Sequence, residues 1–442
     1  MAPTALTRPF YGILLAPTLV LATYGDAHTS PEYLWRPLVV SIVAALLVFG
    51  LLGLTRRWHF AALVTTLVVL AALGVYPILG VLALAAILVT YQAIRRRTLS
   101  VYAQFTRPLN VVFGIWFAIA LGTAVSASVP PPVPDADPVS VAPGSNVYLV
   151  LLDGYPRADT LLEYFDFDNQ PFLDELRERG FTVADLSRSR YTETAQVVPT
   201  MLHQRPLEEL IGGDWDRSNA QYRLVQQLIN HSPTQDAYEA AGYRTYSILS
   251  GANGLDWRTA DVVMESSWPS SFERHMLAQG MLRTLVPFDA MRRASVLDSF
   301  EALAESAGAS PRFVFAHLLM PHDPYVFRAD GSPAEPCGSE CETRAGPPNP
   351  VLADRLTGQV AYVNRLVLHA VDRIMAVDQE GIIVLFSDHG LRRDPADRDE
   401  WYRTLFAARN APVADDVVVL NLMREVIGRA TAAGVESAPS PP

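Results

Sequence analysis

The sequence predicts two bodies with different solvents. The first is an N-terminal α-helical transmembrane bundle of about five spans over residues 1–127. The second is a C-terminal α/β domain over residues 146–430, with a mainly parallel central sheet flanked by helices. Three observations predict this division. The first third is nearly free of charge except for arginine clusters, a Pro-rich stretch follows it, and beyond that stretch short β-rich runs alternate with amphipathic helical ones. A chain of 442 residues also exceeds the usual size of one domain.

Taken in order, the apolar runs are Phe10 to Tyr24, Pro37 to Leu54, His59 to Tyr76, Ile78 to Ile94 and Leu109 to Ala127. Each approaches the ~20 residues that carry a helix across a bilayer. The first is short and broken by Pro17, but it has only Arg8 before it, no small-residue cleavage site and further runs behind it, so it reads as a retained helix rather than a signal peptide. Arg56 and Arg57 separate runs two and three, and Arg95 to Arg97 with Arg107 separate runs four and five. Cytoplasmic loops accumulate such residues, so both loops belong inside, and an odd number of spans puts everything after Ala127 outside a cell membrane crossed several times. Residues 128–145, with Pro130-Pro131-Pro132, read as an extended spacer. Val147 to Leu152, Phe313 to Leu319 and Ile382 to Phe386 read as buried strands, and Asn169 to Gly180, Arg217 to Ile229 and Leu356 to Ala376 as helices. Residues 431–442 read as a flexible tail.

A net charge of −11 argues against a nucleic-acid partner, because phosphate backbones select basic faces. The two cysteines, Cys337 and Cys341, share a Pro- and Gly-rich loop with no second pair to complete a zinc site. A small-loop disulfide is the preferred reading over a free thiol pair.

Ligands of open α/β sheets collect beyond the carboxyl ends of the strands. Three strands end in candidate ligands: Asp153-Gly154-Tyr155, Pro321-His322-Asp323-Pro324-Tyr325 and Ser387-Asp388-His389-Gly390. Between the first two lies a hydroxyl cluster, Tyr191-Thr192-Glu193-Thr194. Asp-Gly is also ordinary turn chemistry, and Thr194 could be a plain helix cap. His317 alternates in phase with Phe313, Phe315 and Leu319 and reads as a core histidine rather than a ligand.

This order of motifs resembles the sulfatase-like branch of the alkaline phosphatase superfamily. Five spans followed by such a domain are similar to lipoteichoic-acid synthases and lipid A phosphoethanolamine transferases. The resemblance implies that Asp153, Thr194, Asp388 and His389 hold one divalent cation, with Thr194 as nucleophile in preference to Thr192. A carboxylate, imidazole and alkoxide set suits zinc or manganese first, magnesium or calcium next. The resemblance places His322 at the phosphoryl group as a donor or acid, and it sets Trp257 and Arg258 where the synthases carry a similar Trp and Arg near the headgroup, although the local match is poor and a surface Arg beside a packed Trp is the preferred reading. Pro199 departs from the pattern and implies a helix that starts late or kinks after the nucleophile.

The implied activity is transfer of a phosphoalcohol, of phosphoglycerol or phosphoethanolamine type, from a phospholipid donor to an envelope glycan or lipid through a phospho-threonine. A phosphate- or sulfate-ester hydrolase and a catalytically silent relative are the alternatives. The usual sulfatase aldehyde forms from Cys or Ser in a Cys/Ser-x-Pro-x-Arg setting. Thr194-Ala195-Gln196-Val197-Val198 does not supply that setting, which favours phosphoryl chemistry.

Overall fold

A computed structural model describes residues 8–423 apart from 28, 30, 55–56, 74–99, 135–140, 142–143, 253, 266–268, 309–310, 338–340, 342–348 and 393–397. The chain forms two compact units. One is Met1–Pro130 with Trp268–Phe288, and the other is Pro131–Ser267 with Asp289–Pro442. The expected boundary at residue 127 lies three residues from the break, but residues 268–288, expected in the catalytic domain, belong to the first unit.

The first unit contains helices α1 (Tyr11–Asp26), α2 (Trp35–Gly53), α3 (Trp58–Leu73) and α4 (Ser100–Ser128). The expected span at 78–94 lies outside the described residues. Among those described, Pro31–Gly53 and Gln104–Ser128 are long and apolar enough to cross a membrane, and α3 is a shorter apolar helix. At 16 residues, α1 falls short of the ~20 that a perpendicular span requires.

Packing in this unit inverts that of a water-soluble helix. The buried residues of α2 include Pro37, Ser41 and Ala45, small side chains spaced four apart, while Val39, Val40, Val43, Leu46, Leu47 and Leu51 are exposed. Small residues let helix backbones approach where apolar surroundings give no reason to hide large ones. Helices α1 and α4 run parallel. The Tyr11 amide donates to Asn110 Oδ1 (3.0 Å), Asn110 Nδ2 donates to the Arg8 carbonyl (2.7 Å), and thirteen residues on from Tyr11 the Tyr24 hydroxyl meets Ser128 Oγ (3.2 Å). His59 Nδ1 lies 2.6 Å from Thr106 Oγ1, so the starts of α1, α3 and the apolar part of α4 share one layer, with Arg8, Arg57 and Arg107 beside it in sequence.

The returning segment is a helix, Ser271–Gln279, begun by a reciprocal capping box between Ser270 and Glu273. Its apolar side, Phe272 and Met276, is buried with Val20, Leu21 and Tyr24 of α1 and Ala120 and Ala124 of α4. Arg36, at the start of α2, grips the Glu273 carboxylate with two nitrogens.

The second unit is a seven-stranded sheet. Its strands are β1 (Val147–Leu152), β2 (Phe181–Val183), β3 (Arg244–Ile248), β4 (Val262–Met264), β5 (Arg312–Leu318), β6 (Ile382–Phe386) and β7 (Phe406–Arg409), in spatial order β2-β7-β6-β1-β5-β3-β4. From β6 through β4 all neighbours are parallel, whereas β7 is antiparallel to both β6 and β2. The mainly parallel sheet of the sequence reading thus carries an antiparallel edge.

All six residues of β1 are buried. Tyr148, Val150 and Leu152 join a core shared with the Gln170–Glu178, Phe288–Glu305 and Pro350–Val377 helices. Val147, Leu149 and Leu151 join the opposite core, shared with the Thr194–His203 and Asn219–Asn230 helices. Period-two alternation therefore serves two apolar faces, which is why the strand reads as a continuous run. The three predicted strands and three predicted helices are present, with ends shifted by a few residues. The longest described helix of the second unit begins at Pro350, six residues before its expected start, capped by the Asn349 side chain on the Leu352 amide (2.8 Å). Pro199 neither delays nor ends its helix, which starts at Thr194 and contains it. At the sixth helical position proline removes a single N–H, and the neighbouring Thr200 hydroxyl approaches the carbonyls of Gln196 and Val197.

Candidate active site

The site lies where β1, β5 and β6 end together at the middle of the sheet. Asp153 follows β1 directly, and its amide continues the ladder to the Leu318 carbonyl (3.0 Å). The next residue is forced to be small. Gly154 has φ 66°, and a Cβ there would come within 3.2 Å of His389 and 3.4 Å of His322. Its amide donates to Asp388 Oδ1 (3.1 Å), and the Tyr155 amide donates to Ser387 Oγ (2.8 Å), so the β1 turn is tied to the β6 turn. The His322 amide donates to the Asp153 carbonyl (3.0 Å), which ties the segment after β5 to the same point.

Asp153, His322 and His389 each place a ligand atom within 4.8 Å of the others. The Nδ1 of His322 faces only acceptors, the Asp323 carbonyl (2.9 Å) and carboxylate (2.6 Å), and His389 Nδ1 faces the Gly390 carbonyl (2.7 Å). Both Nδ1 atoms therefore carry a hydrogen, and a neutral His389 offers a lone pair at Nε2, the tautomer a metal ligand needs. His389 Nε2 lies 3.4 Å from Asp153 Oδ1 and 3.6 Å from Asp388 Oδ2. Asp153 Oδ1 is buried and has no hydrogen-bond partner among the described residues. A bare carboxylate oxygen facing an imidazole lone pair is uncompensated without a positive charge between them, so this set fits a divalent cation.

The charges agree. Burial works against ionisation of Asp153, yet the charge of His322 and the hydrogen bond from His317 outweigh it and hold the carboxyl well below its usual range. Burial likewise opposes a charged His322, but the Asp153 and Asp323 carboxylates raise it to about 9. The carboxylates draw a proton to His322, and a cation would supply that charge in its place.

Thr194 is the first residue of its helix, and its hydroxyl donates to Asp388 Oδ2 (2.5 Å). This contact removes the plain-cap reading, since the side chain serves the site and not the helix's own amides. Asp388 is fully buried, with one oxygen on Gly154 and the other on Thr194. Thr192 reaches the site through its backbone, its carbonyl accepting from Arg392 Nη1 (3.1 Å).

His317 is both a core histidine and a member of the site's surroundings. It is 1% exposed, and its Nε2 bonds Asp153 Oδ2 (3.1 Å), which turns the other carboxylate oxygen toward His389. Trp257 fits the packed reading. Its ring packs near Phe313 and Phe315, its indole N–H donates to Gln235 Oε1 (2.7 Å), and it is 1% exposed, so it offers a headgroup no surface. The Arg258 guanidinium lies 3.5 Å from Glu265 and outside the cluster, a structural ion pair. Cys337 and Cys341 form a disulfide, with Cα atoms 5.7 Å apart.

A cavity opens over the cluster, lined by Gly154, His322, His389, Tyr325, Cys341 and Arg392 among others. Sequence reasoning missed Arg392, although it lies two residues beyond a motif already singled out, and it missed the link from His317 to Asp153.

The family model of the sulfatases matches residues 145–411, more than half of the chain and all of these strand ends. The chain belongs to the sulfatase family. It is a sulfatase-like enzyme of the alkaline phosphatase superfamily, and the matched residues include the cluster at the ends of β1, β5 and β6. None of the curated proteins compared matches the chain. Several solved structures are similar to it. The zinc complex of the C-terminal periplasmic domain of EcEptC from Escherichia coli is 17% identical, covering 64% of this chain and 77% of that one with a TM-score of 0.40. The integral membrane lipooligosaccharide phosphoethanolamine transferase A of Neisseria meningitidis is 15% identical, covering 92% and 88% with a TM-score of 0.37. A putative sulfatase from Bacteroides thetaiotaomicron is 11% identical, covering 67% and 72% with a TM-score of 0.43.

Proposed function

We propose that this sulfatase-family protein is a membrane-anchored, metal-dependent phosphoryl-group transferase. It moves a phosphoalcohol from a phospholipid to an envelope glycan or lipid by way of phospho-Thr194. The observation that carries the reading is the Thr194 hydroxyl on Asp388 Oδ2 at 2.5 Å, at a helix N-terminus beside the Asp153, His322 and His389 cluster. Asp153, Asp388, His389 and the Thr194 oxygen would hold one cation, zinc or manganese by their chemistry. When bound, that cation lowers the pKa of the threonine hydroxyl and offsets charge on the transferring group.

The residues divide the remaining work. Thr194 Oγ1 attacks phosphorus as its proton passes to Asp388 Oδ2. The bond from phosphorus to the diacylglycerol oxygen breaks, and that oxygen takes a proton from His322, whose side chain is 30% exposed at the cavity. In the second half an acceptor hydroxyl gives its proton to His322 and attacks phosphorus. The bond to Thr194 breaks, and the threonine recovers its proton from Asp388. Thr cannot yield the aldehyde of the usual sulfatase, which favours this phosphoryl route over sulfate hydrolysis.

The membrane part of the reading takes α1 to α4 and the run at 78–94 as five spans. The arginine-bearing starts of α1, α3 and α4 face the cytoplasm, so the chain after Ala127 is outside. A reporter that functions only in the cytoplasm, fused after Pro442, should stay silent, and a bright fusion would reverse the orientation.

Thr194→Ala should abolish turnover of headgroup-labelled phospholipid while the protein stays folded, since loss of such a hydroxyl costs at most ~1–2 kcal/mol. Thr192→Ala, whose contribution is a carbonyl, should keep substantial activity. Intact-mass analysis of the wild type mixed with donor lipid should show phosphate plus the headgroup alcohol on Thr194. Survival of activity in Thr194→Ala would refute the covalent route, and release of all label to water in the presence of acceptor would make the protein a hydrolase.

A further inference from the structure

We propose that Arg392 binds the non-bridging oxygens of the tetrahedral group being transferred, and so is a substrate-binding residue of the reaction. The inference rests on the reading of this site as one of group transfer from Thr194 and deepens it by naming the donor that recognises the oxyanion.

Three observations converge on this side chain. Arg392 lines the same cavity as His322, His389 and Gly154. Its Nη1 donates to the carbonyl of Thr192, two residues before the nucleophile, and its Nη2 lies 3.4 Å from His322 Nε2. The guanidinium thus bridges the loop that carries the attacking hydroxyl and the histidine that faces the leaving oxygen. The backbone of Arg392 has φ 57°, a left-handed conformation that a residue with a Cβ adopts at a cost and keeps where its surroundings hold it. That conformation turns the chain sharply just past Gly390, three residues after His389.

Charge balance gives the guanidinium a task. Asp153 and Asp388 would be offset by a divalent cation, so the negative oxygens of a phosphoryl or sulfuryl ester need a further positive partner. No carboxylate pairs with Arg392 among the described residues. A guanidinium presents five hydrogens in a planar fork that matches two oxygens of such a group, and the Thr192 carbonyl takes one of them. As the transferring group flattens, charge spreads over its equatorial oxygens, and a fixed donor at the cavity stabilises that arrangement more than the ground state.

The test uses the full chain in detergent, loaded with zinc or manganese. Binding of inorganic phosphate and of inorganic sulfate is measured by calorimetry, bound metal by elemental analysis, and turnover with phosphatidylethanolamine or phosphatidylglycerol vesicles carrying labelled headgroups. Arg392→Ala should weaken phosphate binding by about tenfold or more, as expected for loss of a charge-assisted hydrogen bond, with metal content unchanged. Arg392→Lys, which keeps the charge but not the fork, should fall between the variant and the wild type. The sulfate arm shows whether the grip is selective for phosphoryl over sulfuryl groups.

Equal phosphate affinity and equal turnover in the wild type and Arg392→Ala would overturn the assignment while leaving the transferase reading in place. Loss of metal in Arg392→Ala would also overturn it, showing that the residue holds the site together rather than the substrate. Arg392-dependent phosphate binding in a protein that transfers no headgroup would keep the assignment and sink the transferase reading. A metal-loaded wild type that binds neither anion would overturn both.

Discussion

Leu47 and Leu151 are the same residue used against two different solvents. On α2, Leu47 is 60% exposed while the small side chains of Ser41 and Ala45 face inward; on β1, Leu151 is fully buried between layers. The second unit hides its large apolar groups, which is what water requires. Helix α2 of the first unit shows them, which fits a hydrocarbon surrounding. The polar groups differ in the same way. In the second unit buried carboxylates gather at one point, where strand ends supply partners, whereas the buried polar groups of the first unit include Thr65 and Thr66, whose hydroxyls bond carbonyls one turn back. Charge is concentrated where the chain has built a place for it.

The largest effect should come from the buried carboxylate and imidazole at the strand end. Asp388→Ala or His389→Ala should each remove bound metal and abolish turnover, and chelation should do the same to the wild type. Elemental analysis showing full occupancy in both variants would show that the cluster is a polar core and not a metal centre. Next, Leu151→Ala should destabilise the chain by about 2–5 kcal/mol through lost contacts and a residual cavity, read as a lower unfolding midpoint in detergent.

At Leu47 the order of substitutions should invert. Leu47→Arg should cost about 2.5–3.5 kcal/mol of membrane insertion near a helix centre, read as a smaller membrane-embedded fraction. Leu47→Ala, which opens no cavity against lipid, should be the mildest of the five. A tolerated Leu47→Arg would mean that this face of α2 meets water or a partner protein rather than lipid.

Much of the site was legible before any fold was drawn, because sheet geometry concentrates function at strand ends. Asp153 directly follows an uninterrupted apolar run, Asp388 and His389 stand just past another, and His322 follows one broken only by His317; such a run announces a strand buried on both faces. Trp257 shows the limit of that kind of inference. Its neighbourhood in sequence suggested a headgroup site, and nothing local says that its ring is enclosed by β5, a strand more than fifty residues away.

The sequence by itself determined the two solvents, the strand-and-helix order, the family and the residue types of the site, since each depends on periodicity, composition or contiguous motifs. Tertiary structure decided what depends on distant segments meeting. It turned β7 antiparallel to both of its neighbours, β2 and β6. It tied the returning Ser271–Gln279 helix to Tyr24 and Arg36 through contacts spanning more than two hundred residues. It set His317 against Asp153 and brought Arg392 to Thr192, two hundred residues apart in the chain. Such contacts leave no mark in local pattern, because any residue of the right chemistry at the right point in space would make them, and only the folded chain says which residue stands there.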